Sequence, residues 1–237
     1  MKLVQYKKIK NNDIYYFRLY KKKIIINNNF QGVLILNLNF ELIYEINFSK
    51  KILIYRDYII ENKIILDCRE LNYFICIDID NYSYYILDVL NFNHDIELIR
   101  KSNEKYKFII ITKTKEIFGF DFEKNKIKLF YKMYLLKNKR KTKAQNNSNN
   151  KFYFNIENPK FIIKKRNIIV GYNEENLEVI NYENNNRNQF EVYENKSKEE
   201  WIFRNVEICI LNKKNYLFIL ENNMSNIYES NLLCYEV

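Results

Sequence analysis

Short apolar runs recur along the chain at regular intervals, and a fixed pattern follows most of them. Ile24-Ile25-Ile26, Ile64-Ile65-Leu66, Phe108-Ile109-Ile110-Ile111, Ile168-Ile169-Val170 and Leu217-Phe218-Ile219-Leu220 are continuous apolar stretches. Runs of this length fit strands buried on both faces. Downstream of four of them, an apolar residue, Asp or Asn, a second apolar or aromatic residue and a further Asp, Asn or Glu follow in order. These markers are Leu36-Asn37-Leu38-Asn39, Ile77-Asp78-Ile79-Asp80, Phe120-Asp121-Phe122-Glu123 and Ile180-Asn181-Tyr182-Glu183. After each comes a β-rich run across a short polar turn, as in Phe40–Ile46, Tyr84–Val89, Lys126–Lys132 and Gln189–Glu194, which is a hairpin signature. A more variable fourth run precedes the apolar one, for example Tyr15–Tyr20 and Ile52–Arg56.

The first Asp or Asn positions of successive markers are 41, 43 and 60 residues apart. The long interval contains residues 137–150, KNKRKTKAQNNSNN, a polar low-complexity stretch that reads as an inserted loop. Without it the period is about 43 residues, the size of a four-stranded propeller blade. Five units fill the chain. The last ends at Leu232–Val237 with a third strand and no fourth, while Lys2–Tyr6 is a strand-like run with no unit of its own. The expectation is an all-β chain: a single five-bladed β-propeller of four-stranded blades over 1–237, with the N-terminal strand closing the last blade and hiding its edge.

In its four markers and their hairpin partners the chain resembles the β-propeller superfamily, broadly the WD-repeat and quinoprotein-like repeats. The resemblance lies in period and strand pattern and covers nearly the whole chain. It implies a rigid scaffold that binds through its loops. A β-sandwich or a β-solenoid is the rival architecture.

Composition supports a folded β domain. Of 237 residues, 47% are hydrophobic and 16% aromatic, too many for a disordered chain. Only 3 glycines serve many expected turns, so asparagine should take the left-handed positions, at Asn27–Asn29, Asn184–Asn186 and Asn222-Asn223. The isolated Gly32, Gly119 and Gly171 form no phosphate-cradling motif.

Several classes of chemistry are excluded or disfavoured. A single histidine, His94, removes a catalytic triad and any multi-histidine metal centre. The carboxylate pairs Asp78/Asp80 and Asp121/Glu123 recur with Asn in their place elsewhere, which points to turn formation rather than catalysis. Cys68, Cys76, Cys209 and Cys234 read as small buried hydrophobes, with a Cys68–Cys76 bridge as the alternative. Trp201 reads as packing between blades, with a partner-binding anchor as the alternative. Met1–Lys10 has no apolar core of a leader, and no stretch of 18 apolar residues occurs. These features imply no cofactor, no metal, no membrane and no small-molecule ligand, in a cytoplasmic setting (nucleocytoplasmic if eukaryotic).

The formal charge of +10 changes the picture most. It suits an anionic partner, although Lys, Asn, Ile, Tyr and Phe all have A/T-rich codons and are all abundant. The densest cationic run is Lys137, Lys139, Arg140, Lys141 and Lys143, flanked by Tyr131, Tyr134, Phe152 and Tyr153. A second cluster is Lys164, Lys165 and Arg166. The sequence therefore predicts a non-enzymatic module that binds a protein or ribonucleoprotein partner through its loop rim. The alternatives are an RNA- or nucleoprotein-directed binder or inhibitor and, more weakly, a small carboxylate-dependent hydrolase.

Overall fold

Strands and tight turns make up almost all regular structure in the computed structural model, which describes residues 2–89, 95–101, 108–121, 126–132, 159–183, 186–194 and 200–237. A 3-10 turn at Arg69–Leu71 is the one helical element among these, and no helix is long and apolar enough to cross a membrane. The chain starts with β1 (Lys2–Lys10). The first sheet is β2 (Phe17–Tyr20), β3 (Lys23–Asn28), β4 (Gly32–Leu36) and β5 (Leu42–Asn47). The second is β6 (Arg56–Ile60), β7 (Lys63–Cys68), β8 (Tyr73–Asp78) and β9 (Tyr84–Asp88). The third is β10 (Ile96–Lys101), β11 (Phe108–Thr112), β12 (Glu116–Asp121) and β13 (Lys126–Lys132). The fourth is β14 (Phe161–Lys165), β15 (Ile168–Tyr172), β16 (Asn176–Glu183) and β17 (Asn186–Glu194). The last strands are β18 (Trp201–Leu211), β19 (Lys214–Asn223) and β20 (Glu229–Glu236).

Each of the first four sheets is an antiparallel meander in chain order, and the fifth runs β1-β20-β19-β18. The N-terminal strand thus supplies the fourth strand of the last sheet, as the sequence predicts. Lys2 stands opposite Glu236, Gln5 opposite Cys234 and Tyr6 opposite Leu233. Within each sheet the strands are called a to d in chain order, with β1 as the d strand of the fifth.

The five apolar runs are all b strands. Their unbroken hydrophobicity has a direct cause: alternate side chains enter two different cores. On β19, Phe218 and Leu220 join one cluster with Ile24, Ile26 and Leu36. Leu217 and Ile219 point the other way, into a cluster with Ile168, Val170 and Val179. On β20 Leu232 and Cys234 divide from Leu233 and Tyr235 in the same manner.

The chain forms two compact units, Met1–Ser49 with Asn149–Val237, and Lys50–Ser148. The first holds the first, fourth and fifth sheets around the two clusters just named. The second holds the other two sheets around Ile65, Phe74, Leu87, Ile99, Phe108 and Phe120.

Two readings of the pattern need correction. The run Ile52–Arg56 is not a strand, since β6 begins at Arg56. Ile52 and Ile54 are buried nonetheless, so their apolar character records packing of the connection and not pairing. Likewise Tyr15-Tyr16 precede β2. The marker Ile180–Glu183 also lies inside β16 rather than at a turn.

Asparagine replaces glycine at only some turns. Positive φ angles occur at Asn11, Asn29, Asn72 and Asn212, but also at Lys21, Lys22, Lys115, Lys213, Arg166, Glu61, Phe40 and Tyr82. Gly32 answers a different need, because a Cβ there would lie 2.0 Å from the Ile46 carbonyl oxygen across the β4–β5 ladder.

Candidate functional site: a cationic turn face

In an antiparallel meander the a–b and c–d turns share one end of the sheet, and the b–c turns share the other. In the first unit every a–b turn carries cations. Between β2 and β3 the turn is Lys21-Lys22, with φ of 46° and 60°, and Lys23 follows. Between β18 and β19 it is Asn212-Lys213, with φ of 47° and 67°, followed by Lys214. Two successive left-handed residues make the primed two-residue turn whose twist matches the flanking strands. Lys164 and Lys165 end β14, and Arg166 forms its turn with φ 53°. All eight cations except the half-buried Lys23 are exposed.

The three sheets that carry these turns are tied to one another. Lys165 Nζ donates to the Ile208 carbonyl at 2.8 Å, joining the fourth sheet to the fifth. Arg18 Nη1 meets Glu207 Oε1 at 3.0 Å, and Asn205 Nδ2 donates to the Phe17 carbonyl at 3.0 Å, joining the fifth to the first. Burial pushes the Cys209 thiol up, while the Lys165 and Lys22 ammonium groups both pull it down. Cations from two sheets therefore act on one residue of the sheet between them. Lys214 is paired with Glu236 at 2.6 Å.

The opposite end of the same unit is built from amides. Asn27, fully buried, accepts from the amides of Tyr15 and Tyr16 at 2.9 and 2.8 Å and donates to the carbonyls of Asp13 and Asn29. Asn12 accepts from the Asn29 amide, and its own amide donates to Tyr228 O. Exposed apolar side chains gather in these loops, namely Phe30, Met224, Ile227 and Tyr228, with Tyr15 stacked on Phe30 at 5.5 Å.

Asp78 is a turn former, as expected, while Glu123 of the second carboxylate pair lies outside the described residues. Asp78 Oδ1 accepts from the amides of Asp80 and Asn81, and Oδ2 from Lys63 and Asn62. Burial alone would raise its pKa, but the Lys63 ammonium and the two amides hold it below the ordinary carboxylate range. Asn37 does the same work for Asn39 and Glu41. A second polar position was missed. Asn27, Asp67, Thr112 and Glu221 each follow the apolar run of a b strand, and all are buried. Asp67 is tied to Arg69 at 2.8 Å. Burial raises Glu221, and Asn231 pulls it partly back. Aligning the runs by position would have exposed this column.

Of the sequence-predicted cations, Lys164, Lys165 and Arg166 lie on the cationic face. Lys137, Lys139, Arg140, Lys141 and Lys143 lie outside the described residues, as does His94. Lys21, Lys22, Lys23, Lys213 and Lys214 were missed, although the spacing of each just before an apolar run signals them. Trp201 is half-buried with Lys8 Nζ 5.6 Å from its ring centre. The four cysteines are buried free thiols, with burial pushing Cys68 and Cys234 up to about 12. Among the described residues no group of His, Cys, Asp and Glu could hold a metal ion.

Serial four-stranded meanders, packed face to face within each unit, have the form of β-propeller blades. No family model and no curated protein matches the chain. It is similar to the solved N-terminal domain of Nup159, with a TM-score of 0.32 and 10% identity over 94% of this chain and 60% of that one. BamB from Moraxella catarrhalis gives a TM-score of 0.36 and 10% identity over 94% of this chain and 65% of that one. The Neurospora crassa Pan2 WD40 domain gives 0.35 and 9% over 93% and 74%. The chain thus spans less than two thirds of the first two structures.

Proposed function

We propose that this chain is a non-enzymatic interaction module, a single five-bladed propeller over 1–237 that offers its turn rim to a protein or ribonucleoprotein partner in the cytoplasm. The observation that carries the reading is the presence of cations on all three a–b turns of the first unit, whose sheets are tied together through Lys165–Ile208 and Arg18–Glu207. The chemistry left elsewhere favours binding over catalysis: Asp67, Asp78 and Glu221 are each bonded into the scaffold. Lys164, Lys165 and Arg166 belong to the contact surface, and Lys137, Lys139, Arg140, Lys141 and Lys143 supply further positive charge for the same partner.

Site-specific photo-crosslinking in the native cell tests this. Crosslinkers placed at Lys22 and Lys164 should capture one common partner, and a crosslinker at Tyr85 on β9 should not. Equal capture from all three sites, or none from any, would overturn the reading.

A further inference from the structure

The cationic turns are costly as turns. A non-glycine residue in the left-handed region loses about 1 kcal/mol relative to the right-handed one, and Asn and Gly are the cheap occupants. This chain is rich in asparagine and uses it where the backbone demands φ above zero, at Asn11 and Asn29 on the opposite end of the first unit. In the a–b turns of that unit the same backbone demand is met by Lys21, Lys22, Lys213 and Arg166, with Asn212 alone conforming, and Phe40 meets it in the neighbouring β4–β5 turn. A codon bias toward A/T-rich triplets would supply asparagine as readily as lysine. It does not explain why, in the first unit, long cations occupy the strained positions of the a–b turns and asparagine those of the opposite end.

The kind of partner follows from what accompanies the charge. Protein partners are held chiefly by apolar and aromatic anchors in desolvated pockets. None of the exposed large apolar side chains of the first unit belongs to an a–b turn. Among the described residues Phe30, Met224, Ile227 and Tyr228 are in the loops of the other end, and Leu3, Val4, Tyr6, Leu42, Ile43, Tyr44, Phe161 and Ile162 are on the strands β1, β5 and β14. The turns offer mostly lysine, a hydrated point charge on a flexible stem. They come from three separate hairpins, so one ligand must carry negative charge at repeated intervals to meet them together.

We infer that the a–b turn face of the first unit, centred on Lys22, Lys164, Lys165, Arg166 and Lys213, binds the phosphodiester backbone of a nucleic acid without reading its sequence. This rests on the interaction-module reading and names its partner. Phosphate contacts by lysine position a nucleic acid and carry no base information.

Fluorescence anisotropy with labelled oligouridylate tests it, with a mixed-sequence RNA of equal length and polyglutamate as the other arms. With about four phosphates engaged, affinity should fall about 50-fold between roughly 50 and 200 mM salt. The two RNAs should bind alike, and polyglutamate at least tenfold more weakly. The triple variant K22E/K164E/K213E should lose at least tenfold in affinity and flatten the salt slope by about 2. The neutral set K22Q/K164Q/K213Q should flatten it equally, with an unchanged melting curve showing that folding is intact. Polyglutamate binding as tightly as RNA, strong preference for one RNA sequence, unaltered binding by both variants or no binding at low salt would each overturn the inference. Capture of a protein through Lys22 alongside any of those results would leave the module reading standing and remove only the nucleic acid.

Discussion

The two ends of the first unit solve the same backbone problem with different chemistry. Both need tight reversals between strands, and both hold residues with positive φ. At the b–c end the reversals are stabilised internally: Asn27, Asn12 and Asn29 bond to one another's backbone and to Tyr15 and Tyr16. At the a–b end the side chains of Lys21, Lys22, Arg166 and Lys213 are exposed at positive φ, with Asn167 beside Arg166 donating to Asn181 Oδ1 at 2.7 Å. One end is optimised for its own structure. The other, on the proposed binding role, gives up some stability to present charge. Since both ends come from the same chain composition, composition does not account for the difference.

The comparison depends on the strand registers, and the β1–β20 register can be checked with the largest effect. Gln5 stands opposite Cys234, so Gln5→Cys should form a disulfide under oxidation. Closing so long a loop can stabilise by up to about 5 kcal/mol. A rise in melting temperature that reductant reverses is the expected result; an unreacted thiol pair would show the register to be different. Next comes the amide end. Asn27→Leu leaves the Tyr15 and Tyr16 amides without their acceptor and should cost about 3 kcal/mol in urea unfolding. A cost below about 1 kcal/mol would mean that this end is no better built than the other.

At the cationic end the sign should reverse. Replacing Lys21-Lys22 with Asn-Gly should stabilise the protein by about 1 kcal/mol, because it relieves two left-handed lysines. The same change should weaken binding to RNA. Gain of stability without loss of binding would separate the turns from the surface function. The smallest effect is one of pH. Glu221 holds its proton more tightly folded than unfolded, because burial raises its carboxyl above the ordinary value of 4.5. Stability from this group is present below that value and is lost as pH rises through the raised one. Glu221→Gln should therefore melt higher than the parent at pH 7, and the gap should narrow toward pH 4. A constant gap across that range would assign the effect to packing.

Much of the scaffold was legible because burial on two faces leaves an unbroken apolar run. All five b strands were found from that sign alone, and the pairing of Lys2–Tyr6 beside Leu232–Val237 followed from counting strands. The a strands were the weak point. Ile52 and Ile54 are apolar and buried without being paired, and period alone cannot separate those cases. The proposed contact face was half legible. Lys164-Lys165-Arg166 stood out as a cluster, whereas Lys21–Lys23 and Lys213-Lys214 became members only through contacts such as Lys165 to Ile208 across two sheets. Linear charge density drew attention to the densest run. It was silent on which modest runs occupy equivalent turns.

The pairing of β1 with β20 sets a timetable for synthesis. Tyr6 and its partner Asn231 lie 225 residues apart. At about 5 to 20 residues per second, a ribosome needs roughly 10 to 45 seconds to deliver the second after the first. Through that interval β1 has no ladder to join. Its four lysines keep such an edge in water and out of wrong pairings. The fifth sheet can then be completed only after β20 has been made, although its outer strand is made before the other four sheets.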